Sequence, residues 1–228
     1  MKIIGHRGGA KIVPENSLKA IRIAKNLGID GIEIDVRLTR DKELVVFHDP
    51  TLSRLSDSDK KISDLTAANV RKIKLKNNET IPLLDEFIKE RSGLMLYVEG
   101  KDNGWAAILA EKLLKLPNNK GISVISFNHV ELGHFKELSP RTKTYALSIY
   151  GLDALSAAKR LGLSGISVFY PALFNPYLAW QIKKSGLELN TFPINNLFIA
   201  ETISKVFPNI SITTDSPDRL KKQTKRIR

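Results

Sequence analysis

Eight times along this chain a short apolar run, rich in β-branched residues, gives way to a longer segment of helical periodicity. The runs are KIIG (2–5), GIEIDV (31–36), LMLYVE (94–99), GISVISF (121–127), TKTYALSI (142–149), GISVFY (165–170), LELNTF (187–192) and ISITTD (210–215). Helical patterns follow at 15–28, 83–93, 105–116, 129–138, 152–162, 175–186 and 196–207, and a basic segment follows the last run. The first of them shows the period, with Leu18, Ile21, Ala24 and Leu27 on one face. Asn16 or Ser17 serves as its expected cap and Gly28 as its stop. Eight strand–helix units in 228 residues fit a (β/α)8 TIM barrel. A doubly wound open sheet is the other fold that alternates in this way. ELVVFH (43–48) extends the second strand, and 50–80 reads as an elaborated polar loop with a short helix near 66–73. No linker or low-complexity segment interrupts the series, so a single domain over 1–228 is expected.

Either fold puts its chemistry at the C-terminal ends of the strands. There the sequence places His6 and Arg7, Glu33 and Asp35, His48 and Asp49, Glu99 with Lys101 two residues on, Ser126 and Asn128, Phe192, and Thr214 with Asp215. In E-I-D-V, residues two apart share a strand face, so Glu33 and Asp35 point one way and Ile32, Ile34 and Val36 the other. Helices cover the outer face of a barrel, which leaves the carboxylates facing inward. Two such charges 4 Å apart repel by about 4 kcal/mol at an effective dielectric near 20. The pair, with Glu99 beside it, can persist by protonation, by pairing with Arg7 or Lys101, or by holding a hard divalent cation such as Mg²⁺ or Ca²⁺. A structural salt-bridge network is the competing reading. Beside such a cluster His6 and His48 become acid/base candidates. His129 and His134, five apart on a helix, are expected as solvated surface.

Composition removes other chemistries. The chain has no cysteine, which excludes disulfides, thiolate metal sites and a cysteine nucleophile. It has no G-x-S-x-G elbow and no Walker loop. No apolar run approaches the roughly 18–20 residues that span a bilayer, and the H-R-G segment starts too early for a cleavable leader. A cytoplasmic location is the expectation. The last ten residues, RLKKQTKRIR, hold six basic and no acidic residues, half of the net charge of +12. Such a tail suits a solvated helix end, or weak contact with an anionic membrane surface. No specific nucleic-acid partner is expected, and the basic body favours an anionic substrate by steering.

HRG (6–8), PEN (14–16), EIDV (33–36), VVFHD (45–49) and VEGK (98–101), in this order, resemble the motif set of the glycerophosphodiester phosphodiesterase family. ISF (125–127) and TTDSP (213–217) extend the likeness more thinly through the second half. The resemblance implies a (β/α)8 barrel that hydrolyses glycerophosphodiesters to glycerol phosphate and an alcohol. It implies His6 and His48 as the acid/base pair and Arg7 and Lys101 as phosphate binders. Glu33, Asp35 and Glu99 would be the ligands of one divalent cation, Mg²⁺ or Ca²⁺. Two positions depart from the family pattern. Gly100 stands where a branched residue is common, which would loosen the backbone behind Glu99, and Phe192 where a tryptophan is common, which would reshape the glycerol pocket. Two other readings use the same residues. One is a lysophospholipase D-type activity, which needs an apolar groove and a membrane-facing surface. The other is a non-catalytic barrel that binds polyanions.

Overall fold

A computed structural model describes residues 1–91 and 93–224. In chain order its elements are β1 (Lys2–Gly5), α1 (Leu18–Leu27), β2 (Gly31–Leu38), β3 (Leu44–Val46), α2 (Ala67–Lys72), α3 (Leu84–Glu90), β4 (Met95–Gly100), α4 (Trp105–Leu114) and β5 (Ile122–Ser126). They continue as α5 (His129–Leu138), β6 (Lys143–Ser148), α6 (Leu152–Leu161), β7 (Gly165–Phe169), α7 (Pro176–Ser185), β8 (Glu188–Phe192), α8 (Leu197–Val206), β9 (Ser211–Thr214) and α9 (Pro217–Thr224). Neighbouring strands run β1-β9-β8-β7-β6-β5-β4-β2, all parallel, and β1 also pairs with β2. That last pairing closes the barrel and excludes the open sheet. β3 lies antiparallel on β2, Val36 opposite Val46, as the extension expected at 43–48.

Alternation along each strand sorts the wall into two faces. Ile32, Ile34, Leu96, Val98, Val124, Ile166, Val168 and Ile212 point outward into the main core beneath the helices. Each such side chain, fully buried, stabilises the fold by about 1.5–3 kcal/mol. Inside the barrel a smaller cluster of Ile4, Tyr97, Ile125, Tyr145 and Leu147 fills the centre. α1 shows how sequence sets an element here. Ile21 and Ala24 bury the predicted face, and Gly28 ends the helix with φ 65°, its N–H bonding Ala24 and Lys25 carbonyls.

Three local expectations change. The segment 50–80 is more than a polar loop: Leu52, Ile62, Val70, Leu75 and Ile81 pack with Val45 and Phe47 into a core of their own. Their spacing has no period, so no pattern betrayed them. The helix expected at 83–93 ends at Glu90, and Ser92 lies outside the described residues. Neither expected cap of α1 uses its side chain there. Ser17 is the cap by position but makes no capping hydrogen bond, and Asn16 is engaged elsewhere. The last four residues of the basic tail lie outside the described residues.

Candidate active site

The turn after β1 is where the site begins. His6–Gly8 forms one tight 3-10 turn, with Arg7 in the left-handed region at φ 50° and Gly8 at φ 84°. A side chain at Gly8 would overlap the Cβ of Ala20, so glycine lets α1 pack against the turn. The unusual backbone at Arg7 has a use: its N–H donates to Glu33 Oε2 at 2.9 Å. Asn16, also left-handed at φ 56°, donates through Nδ2 to Asp35 Oδ2 at 2.9 Å. Its Oδ1 accepts from the Asp35 N–H at 3.2 Å. This engagement with β2 is why Asn16 does not cap α1.

β2 and β4 supply the carboxylates. Their register sets Asp35 directly opposite Glu99. Glu33, Asp35 and Glu99 are all buried, and one oxygen from each lies within 4.8 Å of the others. Lys101 Nζ donates to Glu99 Oε1 at 2.6 Å and pairs with Asp35 Oδ1 at 3.1 Å. Arg7 Nε stands 3.5 Å from Asp35 Oδ2, and Arg7 Nη1 donates to Glu15 at 3.3 Å. These cations do not satisfy the cluster. Glu33 Oε1 is buried with no hydrogen-bond partner, and so is Arg7 Nε.

Electrostatics divides the three acids. Burial pushes Glu33 up to about 8, helped by the charge of Asp35. Burial and the same neighbour push Glu99 up to about 7. Burial also works against ionising Asp35, but Lys101, His48, the Asn16 amide and Arg7 outweigh it and hold that carboxyl below the usual range. Without a further cation the two glutamates therefore hold their protons more tightly than ordinary carboxylates do. The donor set suits a hard divalent ion. It offers three carboxylates on strands, with Glu33 Oε1 and Asp35 Oδ1 buried and without a hydrogen-bond partner, in a setting that a positive charge would relieve.

Each histidine is held by a carboxylate. His6 Nδ1 donates to Asp215 Oδ1 at 2.6 Å, and its Nε2 lies 3.9 Å from Glu33 Oε2. His48 Nδ1 donates to Asp49 Oδ1 at 2.7 Å. In both rings Nε2 is thus the nitrogen left to exchange a proton. Burial alone would lower His6, but the Asp215 hydrogen bond and Glu33 raise it above its ordinary value. His48 falls below its own, through burial and despite Asp35 and Asp49. Asp215 drops to about 2 on account of His6, with Asn195 donating to its other oxygen at 2.8 Å. Asp49 is gripped in turn by Arg54, which also bonds Glu15 at 2.6 and 2.9 Å. The 50–80 segment therefore braces His48.

His6, Arg7, Glu33, His48, Glu99 and Lys101 line one cavity of about 310 Å³ at the C-terminal end of the barrel, with Asp35 directly behind them. All seven residues singled out from the sequence converge there. Asp215, Asn16, Asn195 and Arg54 were not singled out for the site. Asp215 was traceable: it follows β9 directly, and closure sets Thr214 opposite Gly5, next to His6. The far wall is apolar, with Phe127 and Phe169 flanking Phe192 at ring distances of 6.1 and 6.4 Å. Gly100, the position expected to loosen the backbone behind Glu99, lies in β4 opposite Val36 of β2. A branched residue there would overlap the indole of Trp105, so glycine is the partner that the buried tryptophan requires. His129, expected to be solvated, is half-buried and bonds the Leu147 carbonyl at 2.8 Å, while His134 is exposed as expected.

In sequence and fold the chain is similar to known proteins. The model of the glycerophosphoryl diester phosphodiesterase family matches residues 6–219. A glycerophosphodiester phosphodiesterase of Caldanaerobacter subterraneus subsp. tengcongensis is 32% identical, over 96% of this chain and 95% of its own. A solved phosphodiesterase of Oleispira antarctica, in complex with its product sn-glycerol-3-phosphate, superposes with a TM-score of 0.90 at 27% identity. That match covers 99% of this chain and 97% of the other. A glycerophosphodiester phosphodiesterase of Parabacteroides distasonis gives 0.86 at 26% identity, covering 100% and 98%.

Proposed function

The chain belongs to the glycerophosphoryl diester phosphodiesterase family, and from that premise we propose a metal-assisted hydrolase that cleaves glycerophosphodiesters to glycerol phosphate and an alcohol. Within a single domain, His6 and His48 act as the acid/base pair, Arg7 and Lys101 bind the phosphate, and Glu33, Asp35 and Glu99 hold one divalent cation, Mg²⁺ or Ca²⁺. The observation that carries this reading is the pair of imidazoles, each with Nδ1 committed to a carboxylate, lining the cavity that the acidic cluster borders.

A phosphodiester anion repels the nucleophile, and positive charge at the phosphoryl oxygens lowers that barrier. Arg7 carries a planar fork whose Nε makes no hydrogen bond. Lys101 adds a point charge, poised between Asp35 and Glu99. When bound, the cation would polarise the phosphoryl oxygen and lower the pKa of an attacking hydroxyl. One imidazole Nε2 takes the proton from the attacking hydroxyl, and the other Nε2 gives one to the departing alkoxide. Asp215 and Asp49 keep both rings in the Nδ1–H tautomer that this exchange needs. A barrel that only binds polyanions would need the cations, but not two oriented imidazoles around a buried acidic cluster.

Release of glycerol phosphate from glycerophosphocholine and glycerophosphoethanolamine, assayed with Mg²⁺ and with Ca²⁺, tests the reading. Turnover of at least one diester with at least one cation is expected. Folded protein that turns over neither, while binding nucleic acid tightly, would favour the polyanion-binding barrel.

A further inference from the structure

Beneath its charged groups the cavity has a floor of two kinds. At the mouth the far side is apolar, where Phe127, Ile149, Phe169 and Phe192 come from four successive strand ends. One layer deeper, Ile125 and Leu147 keep that character on β5 and β6. On β7, β8 and β9 it stops. Ser167, Asn190 and Thr213 line the cavity there, although they are only 1%, 2% and 4% exposed. Each stands two residues before a group nearer the mouth, Phe169, Phe192 and Asp215 in turn. Residues two apart share a strand face, so the three lie about 7 Å deeper along their strands. Leu147 is opposite Ser167 in register, and Ser167 is opposite Asn190. The change from apolar to polar therefore falls between direct neighbours.

Asn190 ties the three together. Ser167 Oγ donates to Asn190 Oδ1 at 2.7 Å, and Asn190 Nδ2 donates to Thr213 Oγ1 at 3.2 Å. Thr213 Oγ1 also lies 3.3 Å from Asn190 Oδ1. These bonds do not exhaust the groups. Asn190 Nδ2 carries a second hydrogen, and Ser167 Oγ keeps its lone pairs. Neither makes another hydrogen bond among the described residues. Branched apolar residues usually fill a barrel at this depth, and a buried polar group that lacks a partner costs about 1–3 kcal/mol. Spare donors and acceptors under a reaction site suit a ligand group that offers both in return. The three side chains carry no charge, so that group is a neutral hydroxyl and not a phosphate or an ammonium. With the phosphate held at Arg7 and Lys101, one arm of a diester points inward and the other out of the mouth. Head-group alcohols vary in size and charge, and a cavity of about 310 Å³ gives them little room. The glycerol arm is small and neutral, ends in a hydroxyl, and over three carbons reaches about one layer down.

We propose that Ser167, Asn190 and Thr213 form a specificity floor that hydrogen-bonds the terminal hydroxyl of the glycerol arm. Asn190 Nδ2 is the donor to that hydroxyl, Ser167 Oγ its acceptor, and Thr213 orients the amide. The proposal rests on the catalytic reading above and adds to it the group by which glycerol is told from other alcohols esterified to phosphate. A substrate without the hydroxyl leaves the floor buried and short of a partner, and a site built to bond a hydroxyl rejects the analogue that lacks it. A network that merely plugged the barrel would treat both substrates alike.

The test removes the hydroxyl from the substrate and its partners from the protein. Turnover of glycerophosphocholine is compared with that of the phosphocholine diester of propane-1,2-diol. The second compound keeps the hydroxyl beside the ester carbon and lacks only the terminal one. The wild type should favour the glycerol diester by about tenfold or more in kcat/KM, chiefly through KM. In Asn190→Leu that preference should fall to near one, and Ser167→Ala and Thr213→Val should each reduce it. Circular dichroism checks folding, and if Asn190→Leu does not fold the two milder variants decide. Equal turnover of the two diesters by the wild type overturns the proposal. So does loss by the same factor for both diesters in the folded variants, which marks a structural plug. If the wild type cleaves neither diester with Mg²⁺ or Ca²⁺, the catalytic reading fails. The floor is then judged by calorimetric binding of glycerol phosphate against propane-1,2-diol phosphate. A preference that the variants remove supports the floor, and equal or absent binding overturns it.

Discussion

Arg7 and Asn16 both occupy left-handed backbone that a branched side chain would resist, and both use it to grip β2 beside the acidic cluster. Asp215 does the same work for His6. His6→Ala and His48→Ala are each expected to lower kcat by roughly 10²–10⁴-fold. Asp215→Asn, which keeps the shape but removes the charge, should cost about 10–100-fold in kcat with little change in KM. An Asp215→Asn enzyme at wild-type kcat would remove that residue from the proton path. The buried acids also make a prediction about stability. Glu33 and Glu99 ionise at about 8 and about 7 in the fold, against an ordinary 4.5. A raised value means that the fold binds those protons more tightly than the unfolded chain. Their stabilisation is therefore complete below about pH 4.5 and is lost as pH rises through 7 and 8. His6, also raised, has the same sign, while His48, lowered, opposes it near neutrality. The denaturation midpoint of metal-free protein should thus fall between about pH 5 and pH 8, and a divalent cation should flatten the fall. A midpoint that rises across that window contradicts the assignment.

At the scale of elements, β4 and α4 are matched to each other through Gly100 and Trp105. Gly100→Val places a side chain in the space of a fully buried indole. About 1–3 kcal/mol of stability should be lost, read as a lower urea midpoint, and metal affinity should fall because Glu99 is the neighbouring residue. An unchanged midpoint would show that the tryptophan moves aside without cost. The sequence made the strands and the inward face of Glu33 and Asp35 legible, because alternation in E-I-D-V follows from strand geometry alone. It made α1 legible through a single apolar stripe. It did not disclose the core of Leu52, Ile62, Val70, Leu75 and Ile81, where apolar residues meet across a loop without any period. Nor did it disclose the Trp105–Gly100 contact or the Leu147 carbonyl that accepts from His129, since both depend on how a helix packs against its neighbouring strand.

The whole molecule brings these pieces to one place by closing. His6 and Asp215 are 209 residues apart, yet the β1–β9 pairing sets them side by side. The seven candidate residues come from β2, β4 and the segments that follow β1, β3 and β4, so one half of the mouth is charged. The apolar half was not anticipated from the sequence, because its members are scattered singly over four connections and only the strand order gathers them. Among the described residues no helix is long and apolar enough to cross a membrane. The central claim is that Glu33, Asp35 and Glu99 hold the cation on which cleavage depends. Its most direct test is a titration of metal-free enzyme with Mg²⁺ and with Ca²⁺, following turnover of glycerophosphocholine in the wild type and in Glu33→Gln and Asp35→Asn. The account predicts no turnover before metal is added, saturable recovery in the wild type, and recovery in the variants that is absent or needs about 10–100-fold more cation. Full wild-type turnover in verified metal-free protein would contradict it.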